Sequence, residues 1–199
     1  MNQVTLKGYL KDIKHSHTIE DINFSKARML VQRNNGKEDV IDIKFKSLSN
    51  HYKENDLVCL TGNVRSYSHK VSETKNCVEV YVFTYFDRPD DEEVVNEVQI
   101  DGRICKIEKL RQTKTGKHNI HFILANNITS KSGDKRLNAY IPCIAWGNLA
   151  QKISQLSVST PLKITGELRS REHRVAKDDG SYDIQIAHEV YVCSYEVVK

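Results

Sequence analysis

A nine-residue pattern occurs twice in this chain, and it restricts the fold to one built from two like units. Thr61-Gly-Asn-Val-Arg-Ser-Tyr-Ser-His69 and Thr165-Gly-Glu-Leu-Arg-Ser-Arg-Glu-His173 share Thr, Gly, Arg, Ser and His at identical spacing, 104 residues apart. The likeness extends to both sides. Val4-Thr-Leu-Lys-Gly-Tyr-Leu-Lys-Asp-Ile13 matches Val98-Gln-Ile-Asp-Gly-Arg-Ile-Cys-Lys-Ile107 at an offset of 94, and Glu79-Val-Tyr-Val-Phe-Thr-Tyr85 matches Glu189-Val-Tyr-Val-Cys-Ser-Tyr195 at 110. The offsets grow along the chain, so insertions fall in the loops of the second unit, where the backbone tolerates them.

Each unit reads as five strands. Apolar and polar residues alternate with period two in Val4–Ile13 and Val98–Ile107, the mark of a half-buried strand. Gly8 and Gly102 in their centres let a long strand bend. Second strands follow at Ile22–Arg33 and His118–Asn126, with turns at Asn34-Asn-Gly-Lys37 and Lys114-Thr-Gly-Lys117. Third strands are Asp39–Phe45 and Tyr140–Trp146, at an offset of 101, which sets Asp39 against Tyr140. Fourth strands, Leu57–Ser66 and Pro161–Ser170, run into polar arms at 67–76 and 171–182, the second with an Asp179-Gly180 turn.

Between the third and fourth strands of the second unit, Leu149, Ile153 and Leu156 recur at the spacing of one helix face. The corresponding segment 47–55 is more polar. The expected fold is all-β: two tandem five-stranded OB-fold barrels, each with a short helix between strands 3 and 4. The expected division is 1–88, an acidic linker 89–95, and 96–199.

Charge follows the same division. Residues 1–88 carry 14 basic and 11 acidic groups, residues 96–199 carry 16 and 11, and the connector carries four carboxylates. Two basic units on an acidic connector suit a polyanionic partner. No long apolar run and no apolar leader after Met1 is present, so the expected place is the cytoplasm. The five cysteines are widely spaced and never C-x-x-C, which reads as reduced thiols. His15-x-His17 lacks nearby ligands for a metal, and phosphate-loop, nucleophile-elbow and H-E-x-x-H patterns are missing. The expectation is therefore no enzyme, no metal and no cofactor.

A single nucleic-acid strand needs flat faces for its bases and cations along its backbone. Tyr140 and Trp146 are six residues apart on one strand and share a face if it is regular. Phe122 lies on the preceding strand, Lys114 and Lys117 flank a turn, and Arg169, Arg171, His173, Arg174 and Lys177 follow the arm. Trp146 could equally pack a barrel core, Phe122 reads more as core than as surface, and Tyr191 could face either way. In the first unit the corresponding candidates are Phe45 and Arg65.

Across residues 96–199 the chain resembles the bacterial single-stranded DNA-binding protein family, most closely its members from Firmicutes and their phages or mobile elements. The pieces that carry the resemblance are Gly102-Arg103-Ile104, Thr113-Lys-Thr-Gly-Lys117 with Phe122-Ile-Leu-Ala-Asn126, Tyr140-Ile-Pro-Cys-Ile-Ala-Trp-Gly-Asn-Leu-Ala150, and Gly166-Glu-Leu-Arg-Ser-Arg171 with Asp179-Gly180. The resemblance implies an OB-fold that wraps single strands without catalysis, in replication, recombination or repair, with stacking aromatics at Tyr140 and Trp146 and a further family position at His173. Asp39, set where the second unit has Tyr140, would repel phosphate and leave the first unit weak in binding or structural. Family members usually end in an acidic tail, whereas this sequence stops at Glu196-Val-Val-Lys199, so recruitment through such a tail is not expected. Family members also assemble four barrels, which two copies of this chain would supply as a homodimer; one copy would act as a monomeric pseudo-dimer. The alternative function is a scaffold for a replication, primosome or conjugation complex, with weak nucleic-acid binding. Phosphates and base faces are common to DNA and RNA, so the partner is single-stranded DNA, with RNA left open.

Overall fold

A computed structural model describes residues 1–46, 52–72, 75–87, 95–129, 136–176 and 181–198. The described residues are mostly strand, with one short helix among them. In order, the elements are β1 (Asn2–Ile19), β2 (Ile22–Gln32), β3 (Glu38–Lys46), β4 (Leu57–Ser72), β5 (Lys75–Asp87), β6 (Asn96–Ile107), β7 (Arg111–Gln112), β8 (His118–Thr129), β9 (Arg136–Trp146), α1 (Gly147–Ile153), β10 (Pro161–Ala176) and β11 (Tyr182–Val197). Every strand expected from the period-two pattern is present. The first-unit helix segment at 47–51, the connector at 88–94, Lys177 and the Asp179-Gly180 turn lie outside the described residues.

The strand pairings close on themselves in each half. In the N-terminal half, β1 pairs β2, β2 pairs β3, β3 pairs β5 in parallel, β5 pairs β4, and β4 returns to β1. In the C-terminal half the same circuit runs β6–β8–β9–β11–β10–β6, with β9–β11 the parallel step. Inward residues alternate with outward ones, and Leu6, Met29, Ile41 and Val64 in one half match Ile100, Leu124, Ile141 and Leu168 in the other as buried side chains.

The duplicated Thr-Gly marks an irregularity in both circuits. The β4–β5 register slips between Thr61 and Gly62, and the β10–β11 register slips between Thr165 and Gly166. A β-carbon on Gly62 would strike the carbonyl oxygen of Phe83, and one on Gly166 that of Tyr191. Only glycine lets the backbones approach this closely at a bulge.

The expected polar arms are a correction. Instead of leaving the sheet, they continue it: β4 pairs β5 as far as Ser72↔Lys75, and β10 pairs β11 as far as Ala176↔Tyr182. Ladder hydrogen bonds give these polar residues a fixed place.

The halves join through β1 and β6, which pair antiparallel from Asn2↔Ile100 to Leu6↔Asn96 and merge both circuits into one eleven-stranded sheet. On each side of the junction an Asn side chain ties its own half together in the same way. Asn2 donates to the carbonyl of Val64 at 2.8 Å and accepts from its N–H at 2.8 Å. Asn96 does the same to Leu168, at 2.7 and 2.9 Å. The duplicated Ser crosses between the halves. The N–H of Tyr140 donates to Ser66 Oγ at 2.7 Å, and the N–H of Val40 donates to Ser170 Oγ at 2.9 Å.

These paired contacts correct the third-strand alignment. They make Val40 the counterpart of Tyr140, an offset of 100, and Asp39 the counterpart of Ala139. A one-residue slip moves a strand residue to the other face. Asp39 therefore points inward, 0 % exposed, and is not an outward acid at a stacking position.

Candidate nucleic-acid interface

Parity along β9 sets the C-terminal face. Ala139, Ile141, Cys143 and Ala145 are buried, so Tyr140, Pro142, Ile144 and Trp146 line the opposite side. Tyr140 is 47 % exposed, and Trp146 is half-buried about 20 Å further along the strand. On β11, Val190 and Val192 are buried, which turns Tyr191 outward beside its ladder partner Ile144. The ambiguity over Tyr191 is resolved in favour of the surface.

Cations meet these rings. The guanidinium of Arg169 sits 3.7 Å from the Tyr191 ring centre, and Lys117 Nζ lies 5.4 Å from that of Trp146. Arg169 is oriented by Glu167, which accepts from its Nε at 2.9 Å and its Nη2 at 2.8 Å. Arg171 Nε reaches Glu189 Oε2 at 3.4 Å. Together they bound an open groove of about 350 Å³, lined by Lys117, Trp146, Arg169, Arg171 and Tyr191, with Arg33 arriving from the N-terminal half. Four cations and one carboxylate, Glu189, line this groove, with Arg169 paired to Glu167 and Arg33 to Asp39. Such a surface can stack bases and neutralise phosphates.

The remaining candidates disperse. Lys114 is exposed on the same turn as Lys117. Arg103 is exposed on β6, where its Nη1 donates to the Ser159 carbonyl at 3.0 Å. On the β10–β11 ribbon, Arg174 lies 4.5 Å from the Tyr182 ring centre, and His173 is half-buried with an Nδ1 that has no hydrogen-bond partner among the described residues. Two aromatic candidates are corrected. Phe122 is 2 % exposed and Phe45 6 % exposed, because both point inward from their strands. Phe45 packs edge-on against Tyr52 in the core. Neither offers a face to a base.

The N-terminal half has an outer face that the sequence reading did not assemble. Lys44 Nζ lies 4.1 Å from the Tyr81 ring centre, and the Arg65 guanidinium lies 4.0 Å from that of Phe83. Lys14, Lys26, Arg28, Lys44 and Tyr81 line an open groove of about 400 Å³ with Asp12, Asp42 and Glu79. The signal was available in Glu79-Val-Tyr-Val-Phe83: buried Val80 and Val82 turn Tyr81 and Phe83 outward.

Asp39 has a different task from the one its charge suggested. Its carboxylate accepts from Arg33 Nε at 2.6 Å and from Arg33 Nη2, and it also accepts from the N–H of Ser170 at 2.6 Å. It is a buried anchor between the halves. The bonds from Asp39 hold the Arg33 guanidinium above its ordinary pKa, against the opposing effect of burial.

Among the described residues, no cluster of three or more His, Cys, Asp or Glu side chains could hold a metal ion, and no helix is long and apolar enough to cross a membrane. Cys105, Cys143 and Cys193 are free, and burial pushes the Cys143 thiol well up.

Residues 95–193 match the model of the single-strand binding protein family. Two solved structures of the single-stranded DNA binding protein from Thermus aquaticus, the wild type and a deletion mutant, are similar over 100 % of this chain. The likeness covers 93 % and 95 % of those chains, each with a TM-score of 0.74 and 17 % identity. At that identity the likeness shows the fold. No curated protein matches the chain.

Proposed function

We propose, from the match of residues 95–193 to the single-strand binding protein family, that this chain binds single-stranded DNA without sequence preference. The observation that carries the reading is the groove in which Trp146 and Tyr191 alternate with Lys117, Arg169 and Arg171. Aromatic faces accept any base, contributing roughly 1–3 kcal/mol per stacked base, and cations hold the backbone irrespective of sequence. Tyr140 extends the same face towards the N-terminal half, and His173 shares the parity of Arg169 and Arg171 along β10, while Arg174 turns to the other side of the ribbon beside Tyr182. No chemistry is assigned to the site; its task is to hold a strand for enzymes of replication, recombination or repair.

Each half is read as an OB-fold, residues 1–88 and 96–199 joined by 89–95. The strand circuits and the position of α1 between β9 and β10 support this reading. The repeated Ser contacts across the junction, with the matched Asn contacts inside each half, support a pseudo-dimer within one chain, with a homodimer then giving four such units.

Trp146 is the single tryptophan, so its fluorescence reports on the groove directly. Titration with oligo-dT should quench it, and the logarithm of the binding constant should fall linearly with the logarithm of salt concentration. An unchanged spectrum at low salt would overturn the reading.

A further inference from the structure

We infer that Arg33 of the N-terminal half completes the groove of the C-terminal half, gripping a backbone phosphate where the bound strand crosses between them. The inference rests on the single-strand reading and adds a residue outside the matched segment 95–193.

Three observations carry it. First, Arg33 is placed by its own half but faces the other. Its N–H donates to the Lys37 carbonyl at 2.7 Å within the β2–β3 turn, while Nη2 donates to the Ser170 carbonyl at 3.3 Å. Second, it lies between two grooves. It lines the aromatic groove with Lys117 and Trp146, and it also lines a second groove of about 420 Å³ with Arg169, Asn34, Asn35 and Asn96, where Glu97 and Glu167 stand as well. Arg33 and Arg169 are common to both, so a strand leaving Trp146 for the junction meets these two guanidinium groups. Third, its direction is set before any ligand arrives. Asp39 occupies Nε and Nη2, and Nη1 has no hydrogen-bond partner among the described residues.

Charge cancellation within the ion pair is the obvious objection, and burial answers it. Asp39 is 1 % exposed at its side chain and Arg33 is 21 % exposed. What the ion pair presents to a phosphate is therefore guanidinium. A side chain already ordered loses little further freedom on binding, and Nη1 keeps both of its N–H groups to donate to a phosphate oxygen. Ser170 lies at the centre of this arrangement: its N–H and hydroxyl both donate to Asp39, and its carbonyl accepts from Arg33. The Ser of the duplicated pattern thereby ties the cation of one half to the fourth strand of the other.

The test uses the full chain, oligo-dT and Trp146 fluorescence over a series of salt concentrations. The double variant Arg33→Gln with Asp39→Asn neutralises both partners together and strands no buried carboxylate. It should bind roughly five- to twentyfold more weakly, with the log–log salt slope shallower by about 0.7, the contribution of one phosphate contact to a single strand. Arg33→Lys should recover the slope but not all of the affinity, because an ammonium lacks the two-point hold on Asp39 that orients the cation. Asn34→Asp, on the exposed turn that lines the second groove, adds a repelling charge without touching the ion pair and should weaken binding several-fold. A double variant with the wild-type slope, together with Asn34→Asp binding as the wild type does, overturns the inference; a double variant that fails to fold leaves Asn34→Asp to decide. Loss of quenching in the wild-type chain itself would sink the single-strand reading instead.

Discussion

Val4 of β1 lies directly opposite Val98 of β6, and each is the other's counterpart in the internal repeat. The ladder continues symmetrically, with Asn2 opposite Ile100 and Asn96 opposite Leu6. A local two-fold relation therefore passes through this valine pair, and it explains why the junction contacts come in twos. The relation breaks at Asp39. Its counterpart is Ala139, so the ion pair with Arg33 supports one side of the junction and has no twin in Ala139.

Asn2→Ala and Asn96→Ala should each destabilise the chain by roughly 1–3 kcal/mol, since each removes two hydrogen bonds to a buried backbone. Urea denaturation measures the loss. A near-neutral effect at either position would mean that water replaces the amide there.

Gly62→Ala and Gly166→Ala should each cost about 1–3 kcal/mol, because the new methyl meets a backbone carbonyl that cannot rotate away. The comparison is by thermal melting. An unchanged melting temperature would show that the bulge can open.

Tyr140→Ala and Phe45→Ala should part company in two assays. Truncating buried Phe45 should cost roughly 3–5 kcal/mol of stability, and truncating exposed Tyr140 about 0.5 kcal/mol or less. Binding to oligo-dT should respond in reverse, with Tyr140→Ala losing roughly 1–3 kcal/mol of affinity. If Phe45→Ala, still folded, loses as much affinity, the division between core ring and stacking ring is wrong.

Lys44→Ala and Tyr81→Ala test whether the N-terminal face takes part. Affinity for a long oligo-dT should fall, with a salt slope for Lys44→Ala shallower by about 0.7. Affinity for an oligomer short enough to span only the C-terminal groove should stay as in the wild type. Equal effects on both lengths would argue for a change in the fold rather than a lost contact.

Sequence alone determined the duplication, the strands and the positions of the close-approach glycines, because each is a local matter. Period-two burial is written into neighbouring residues, and a bulge glycine recurs wherever its strand does. The aromatic–cation pattern in the C-terminal half was equally legible, since Tyr140 and Trp146 share a strand and a parity. The tertiary structure decided the rest. An alignment offset of 101 rather than 100 turned Asp39 outward on paper, and only the contacts of Ser66 and Ser170 with the opposite half show the true register. Whether Phe122 and Phe45 fill a core or face a ligand depended on which side of each strand the circuit closes around. Asp39 finds its partners in Arg33, six residues away, and in Ser170, 131 residues away. Burial and charge pairing between segments that far apart arise when the halves fold against each other, and no local pattern encodes them.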